Sequence, residues 1–380
     1  MKILMVGSDP RQGLIYYHAR LARELVRQGQ EVLLAVGSDG EQTEGLRCET
    51  QQAGVRLASL RCLARGGVRA LVGPSRESVE LVRAERPDVV HAWGPVSLRQ
   101  LRARGGERIP RVAMVAAMAH HANPRSFRVR TGAAMLNRYA RIVLAQCREE
   151  ERRLAVAGVA KDRIRVVYPP LACDEFLARA EAGRTSSGAA VLRAAGVDES
   201  AAKIGYFANF EPRKRHDMLV RAFHELREEL KGWTLVLAGE GPTRDGIEAL
   251  VTDMGLSQRV MFLGRQQNVV MPSLLANMDL VVHCSNAETF GYSIVEPILL
   301  RVPTVLTRTG IAREIEENTR IPVVPPDDGH ALVTAIRETA IGAAQRGGIA
   351  AEAAAYVRRT FDVAVIALRL TSLYAEVVGA

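Results

Sequence analysis

The stretch Asp279-Leu-Val-Val-His283-Cys-Ser-Asn-Ala-Glu288-Thr-Phe-Gly-Tyr-Ser-Ile-Val-Glu296-Pro-Ile-Leu-Leu-Arg-Val-Pro303-Thr-Val-Leu306 holds two short apolar runs with a helix-like segment between them. The runs are short enough for strands and the segment Phe290–Leu300 long enough for a helix, so the spacing predicts a strand, helix and strand in parallel. Such units build sheets covered by helices on both faces.

The same alternation runs through the chain twice. A first series of strand-like runs is Lys2–Gly7, Glu31–Gly37, Asp88–Trp93, Arg111–Met118, Arg141–Gln146 and Ile164–Tyr168. Glu181-Ala-Gly-Arg-Thr-Ser-Ser-Gly188 interrupts it, with the small and polar composition of a linker or mobile loop. A second series follows at Lys203–Phe207, Trp233–Ala238, Arg259–Leu263, Asp279–His283, Pro303–Leu306 and Ile321–Val324. The fold class expected is therefore α/β, with two doubly wound, Rossmann-like domains at 1–180 and 190–360 facing each other across a cleft. Apolar spacing between Ile349 and Val378 suits one or two amphipathic helices, and a C-terminal helix at 361–380 is expected to pack back on the first domain. Ligands in open sheets of this kind gather beyond the carboxyl ends of the strands.

Composition narrows the class. The chain has 380 residues, enough for two cores at about 150 residues per domain, and 48% of it is apolar. Its longest apolar run, Val112 to Ala119, stops at His120, far short of the roughly 20 residues of a bilayer span. The N-terminus enters an apolar run without the pattern of a secretory signal, and five cysteines without paired short spacing suggest neither a disulfide framework nor zinc. A reducing cytoplasm is the expected setting. Residues 1–180 carry 30 Lys and Arg against 18 Asp and Glu, a net +12, whereas residues 181–380 carry 21 against 24, a net −3. The basic half is read either as meeting an anionic partner or as a solvated arginine-rich surface. Nucleic acid is not the expected partner, because aromatic residues are only 5% of the chain and the arginines match no recognised motif.

Glu288 and Glu296 flank the start of the predicted helix. The N–H groups of Thr289, Phe290 and Gly291 would face an incoming group there, and a helix amino end favours a phosphate. Two carboxylates beside a phosphate would repel it, so they are expected to accept hydrogen bonds from sugar hydroxyls. Surface placement or helix capping is the plain alternative.

Ser285-Asn-Ala-Glu288-Thr-Phe290-Gly291 through Glu296, then Val302-Pro303-Thr304-Val305, Gly310 and Glu314, resembles the E-x7-E region of retaining glycosyltransferases of GT-B fold, the nucleotide-sugar-dependent family four. Ile204 to Leu219 is similar to the family's segment carrying an Arg and a Lys for the donor diphosphate. Lys214 matches that Lys, while Ala208-Asn209 stands where the family has Gly-Arg. Either Arg213 or Arg215 compensates for the missing arginine, or Asn209 donates a neutral hydrogen bond. Gly239-Glu-Gly241-Pro242 and Val260-Met-Phe-Leu-Gly264 resemble glycine turns of the family, the second near its nucleobase. In the first half, Arg11-Gln12-Gly13 resembles the opening glycine loop, and His120 or His121 stands for the histidine near the reacting carbon, with His120 preferred. Arg86-Pro-Asp-Val-Val-His91 and Arg163–Asp174 with Phe176 are further similar phrases; His91 is read as packing or orienting a loop.

The resemblance implies a retaining hexosyltransferase. It would move sugar from a nucleotide-diphosphate donor (UDP, GDP, ADP or TDP) to a hydroxyl of a glycan, lipid-linked or small-molecule acceptor. The implied catalytic residues are His120, Glu288 and Lys214, and the implied donor site comprises Gly13, Asn209, Arg213, Lys214, Gly241, Gly264, Glu288, Thr289, Phe290, Gly291 and Glu296. No cofactor and no metal are implied, since no Asp-x-Asp accompanies the site and Asp327-Asp328 falls in a late loop. The expected role is in cell-envelope polysaccharide or glycolipid assembly. Arg99, Arg102, Arg104, Arg108 and Arg111, with Arg125, Arg128 and Arg130, would then meet the anionic inner face of the cytoplasmic membrane. Two other readings are carried: a nucleotide-sugar epimerase of the same architecture, and a non-catalytic sugar-nucleotide or glycan-binding protein.

Overall fold

A computed structural model describes residues 1–6, 14–36, 44–60, 76–94, 109–114, 126–342 and 346–379, without the side chains of 14–17, 44–46, 128 and 346. Gly13, His120 and His121, the arginines at 11, 99, 102, 104, 108 and 125, and the side chain of Arg128 thus lie outside the described residues.

The chain divides into two compact units, Met1–Leu171 with Phe361–Ala380, and Ala172–Thr360. In the first, β1 (Lys2–Val6), β2 (Glu31–Val36), β3 (Arg56–Ser59), β4 (Val89–Trp93), β5 (Arg111–Met114), β6 (Ile142–Ala145) and β7 (Ile164–Val166) form a sheet ordered β3-β2-β1-β4-β5-β6-β7. In the second, β8 (Ala202–Phe207), β9 (Trp233–Ala238), β10 (Val260–Phe262), β11 (Leu280–His283), β12 (Thr304–Thr307) and β13 (Val323–Val324) are ordered β10-β9-β8-β11-β12-β13. Every pairing in both sheets is parallel, so each sheet collects its carboxyl ends along one edge.

A parallel sheet covered on both faces needs unbroken apolar strands rather than alternating ones. Ile3, Leu4, Met5 and Val6 are accordingly all buried, as are Leu235, Val236 and Leu237. β3 departs from this pattern. It is an edge strand reading Arg-Leu-Ala-Ser with exposed ends, and so carries no apolar run to find.

The segment 181–188 is helical, not a linker. Helix Cys173–Gly183 passes through a π-type turn at Arg184–Gly188 into helix Ala189–Ala194, all within the second unit. Its small residues serve close packing on the short helix Met271–Leu275: a Cβ on Gly183 would lie 2.7 Å from Ser273 Cβ, and one on Gly188 2.6 Å from the Ser273 carbonyl oxygen. Asn277 Nδ2 also donates to the Arg184 carbonyl at 3.0 Å.

The C-terminal segment forms two helices, Arg346–Phe361 and Val363–Gly379. Between them Asp362 bridges to Leu171, whose N–H donates to the Phe361 carbonyl at 2.7 Å and whose carbonyl accepts from Val363 N–H at 2.9 Å. The last helix packs on the first unit, against helix Leu14–Arg27 and β4. There His91 Nδ1 lies 2.5 Å from Tyr374 Oη. Burial drives His91 down to about 3, and the neighbouring His18 adds to this. Burial also raises the Tyr374 phenol, so its hydroxyl keeps its proton beside Nδ1.

Candidate functional site

The strand order of the second sheet reverses between β8 and β11, and the crevice beyond such a reversal is where open sheets bind ligands. The segments leaving these two strands, 208–215 and 284–291, are bonded together there. Asn286 N–H donates to the Arg213 carbonyl at 2.8 Å, Ser285 Oγ lies 3.0 Å from the same carbonyl, and Arg213 Nη1 donates to the Ala287 carbonyl at 3.1 Å.

Lys214 closes a 3-10 turn, Pro212–Lys214, and is followed by Arg215 with φ of 51°. This left-handed residue is held by Asp217 at 3.0 Å and by Asp327. Tyr206 Oη donates to the Lys214 carbonyl at 2.8 Å, so the end of β8 fixes the backbone that aims the lysine. The Lys214 ammonium pairs with Glu288 Oε1, and both side chains are buried. Arg213 Nη1 lies 3.5 Å and His283 Nε2 3.3 Å from that same oxygen.

Burial alone would raise the Glu288 carboxyl. Hydrogen bonding to His283 and the adjacent charges, Lys214 first, outweigh it and hold the group well below the carboxylate range. His283 is driven down by its complete burial and is therefore neutral. Its Nε2 faces the Glu288 carboxylate at 3.3 Å. His216 stacks on Phe210 with ring centroids 4.1 Å apart, and burial, with the Lys214 charge, lowers it to about 4. The fixed charges around Glu288 Oε1 are thus Lys214 and Arg213, with Glu211 2.7 Å from Arg213 Nε.

The other residues singled out in the sequence fall around this cluster. Gly241 has φ of 155°, and a Cβ there would sit 2.4 Å from the Phe210 carbonyl oxygen. That glycine permits the turn after β9 to lie on the 208–210 backbone. Gly264 abuts the same turn, its carbonyl accepting from Gly239 N–H at 2.9 Å. Asn209 is exposed on the segment after β8. The helix expected over Phe290–Leu300 spans Tyr292–Leu299. It begins later because Gly291, with φ of 93°, cannot lie within a helix; Thr289 and Phe290 therefore belong to the preceding loop, and the Phe290 ring is buried. Glu296 lies on the half-buried side of this helix with Tyr292 and Ser293, opposite the buried Ile294, Val295 and Ile298.

Of the residues packed around Glu288, His283 was not read as a site residue from the sequence, and Gly310 was read there only as part of the family pattern. His283 ends an otherwise apolar strand, Leu-Val-Val-His, and a polar residue at that position was the available signal. Gly310 has φ of 52°, and a Cβ there would sit 2.9 Å from the Thr289 carbonyl oxygen and 3.0 Å from Glu288 Cβ. It supports the backbone of Glu288 from behind. Among the described residues no group of three or more His, Cys, Asp or Glu could hold a metal ion, and no helix is long and apolar enough to cross a membrane.

Comparison with known proteins gives consistent relatives. A family model described as "Glycosyl transferases group 1" matches residues 191–344, and one described as "Glycosyltransferase Family 4" matches residues 12–175. N-acetyl-alpha-D-glucosaminyl L-malate synthase of Bacillus anthracis is 36% identical over 120 residues, 32% of this chain and 31% of that protein. Alpha-D-kanosaminyltransferase of Streptomyces kanamyceticus is 27% identical over 251 residues, 66% of this chain and 62% of that protein. The matched stretches thus span under two thirds of these curated relatives. Anabaena HepE, crystallised with UDP and glucose, superposes with a TM-score of 0.78 at 22% identity, over 99% of this chain and 100% of that one.

Proposed function

From the premise that the chain belongs to the family-four glycosyltransferases of GT-B fold, we propose that it transfers a sugar from a nucleotide-diphosphate donor to a hydroxyl acceptor with retention of anomeric configuration. One observation carries the reading: Lys214, Arg213 and His283 converge on a single oxygen of Glu288 at the carboxyl ends of β8 and β11.

The Lys214 ammonium has three donors and can hold Glu288 Oε1 while reaching a donor phosphate. Arg213 adds a second cation beside it. As the bond from the anomeric carbon to the phosphate oxygen breaks, its electron pair goes to the diphosphate, and these cations stabilise the developing charge. The acceptor oxygen bonds to the same face of the anomeric carbon, and its proton passes to the departing phosphate. Glu288 stays ionised and offers Oε2 to hydroxyls of the transferred sugar, while Glu296 accepts from the ribose. Gly241 and Gly264 border the nucleotide, and Asn209 replaces a cation with a neutral donor. By the family resemblance, Gly13 would complete the donor site and His120 would act at the anomeric carbon. The reaction needs no metal, because the cations and the loop N–H groups of Thr289 to Gly291 take its place. The expected acceptor belongs to cell-envelope polysaccharide or glycolipid assembly, at the cytoplasmic face of an anionic membrane.

Asn209 favours a second reading, a non-catalytic sugar-nucleotide-binding protein. The two separate in one experiment. The protein is incubated with UDP-, GDP-, ADP- and TDP-sugars and an acceptor panel, with and without EDTA. Release of nucleotide with formation of a glycoside of the donor's own configuration, unchanged by EDTA, supports transfer; binding without turnover supports the second reading.

A further inference from the structure

The first unit carries a concavity of about 630 Å³ at the opposite edge of its sheet from the strand carboxyl ends. Its walls come from the segments that enter β5, β6 and β7. Ile109 and Pro110 precede β5, Ala140 and Arg141 precede β6, and Asp162 and Arg163 precede β7. Because the three strands are parallel, all these entries lie on one edge, away from where open sheets do their chemistry.

Five arginines line it, Arg111, Arg138, Arg141, Arg163 and Arg165, against two acidic residues, Asp162 and Glu376. Two arginines are pinned by backbone. Arg163 Nη1 donates to the carbonyls of Asn137 at 2.6 Å and Ala140 at 3.3 Å, and Arg165 Nη1 to those of Asp162 at 2.7 Å and Ile164 at 3.1 Å. Glu376, on the last helix, is only loosely paired, 3.7 Å from Arg165 Nη2. Arg138 and Arg141 are exposed at the rim, with Arg138 over the Tyr139 ring at 5.8 Å.

A concavity of this volume suits a small ligand rather than a single ion. Clustered arginines of which some are already oriented favour planar, multidentate recognition of phosphate. We propose that this pocket binds a phosphate-bearing ligand, a phosphomonoester or diphosphate, distinct from the donor and independent of the glycosyl-transfer reading. The phosphate is carried either by a soluble metabolite or by an anionic lipid headgroup, and the two sources can be told apart.

Binding of inorganic pyrophosphate is measured by calorimetry, and binding to vesicles of phosphatidylglycerol or of pure phosphatidylcholine by co-sedimentation, on wild type and R138E/R141E. Both substituted side chains are exposed and lie in the other unit from Lys214, so nucleotide binding should be unchanged. Loss of one pyrophosphate site, or its weakening by about tenfold or more, identifies a soluble phosphate ligand. Loss of phosphatidylglycerol binding with pyrophosphate unaffected identifies a headgroup. If charge reversal abolishes cooperative unfolding, R138Q/R141Q should give the same direction with a smaller change. Equal binding of both probes by wild type and a folded variant overturns the proposal.

Discussion

Lys214 and Glu288, 74 residues apart in the chain, form a buried ion pair that joins the segment after β8 to the segment after β11. Removing one partner strands the other charge away from water, whereas replacing both removes the desolvation cost as well. Lys214→Met should therefore destabilise by about 3–5 kcal/mol, and Lys214→Met/Glu288→Leu by much less. Urea denaturation of wild type, both single variants and the double variant checks this; an additive double variant would show that the pair is not coupled.

Acid should weaken the fold in two stages. His216 and His91 are neutral in the folded protein down to about 4 and about 3, while unfolded imidazoles take up protons from about 6.5. The unfolded state binds more protons in that range, so stability falls as pH drops below about 6.5. Glu288 is held below its ordinary value of 4.5, so its contribution is present above about pH 4.5 and is lost as pH falls further. Denaturation midpoints between pH 7 and pH 4 should decline, and His216→Phe should flatten the upper part of the curve. A pH-independent midpoint would contradict the assignment of both histidines as buried and neutral.

Tyr374→Phe removes the hydroxyl bonded to His91 Nδ1 and leaves that buried ring nitrogen without its partner. The cost should be about 1–3 kcal/mol. Thermal unfolding of the variant measures it, and a loss below about 0.5 kcal/mol would mean that His91 finds another partner.

Gly310→Ala places a Cβ 2.9 Å from the Thr289 carbonyl oxygen at a left-handed position, so the loop bearing Glu288 must shift. Turnover should fall at least tenfold while the cooperative fold persists, because displacement of about 1 Å at a reacting site is costly. Steady-state rates beside a melting curve separate the two effects.

The strands of both sheets were legible because a parallel sheet covered on both faces leaves unbroken apolar runs, as at Leu235-Val-Leu237. β3 was not, because its Arg56 and Ser59 are exposed at a sheet edge. Glycines and serines at 183–188 report close approach to Ser273 as readily as they report flexibility, and composition cannot separate the two. At the site, Lys214, Arg213 and Glu288 stood out through chemistry and family pattern. Their convergence on one oxygen, and the part played by His283, arise from the reversal of strand order that sets β8 beside β11. That neighbourhood has no signature in local sequence.

The most direct measurement is the thermal shift produced by UDP, GDP, ADP, TDP and their sugar conjugates on wild type, Lys214→Ala and Glu296→Ala. A ligand at about 100 times its dissociation constant stabilises by about 2.7 kcal/mol. One nucleotide series should stabilise the wild type, with the shift reduced in Glu296→Ala and lost in Lys214→Ala. Absence of a shift with every nucleotide, or a shift that Lys214→Ala leaves intact, would contradict a donor site at the ends of β8 and β11.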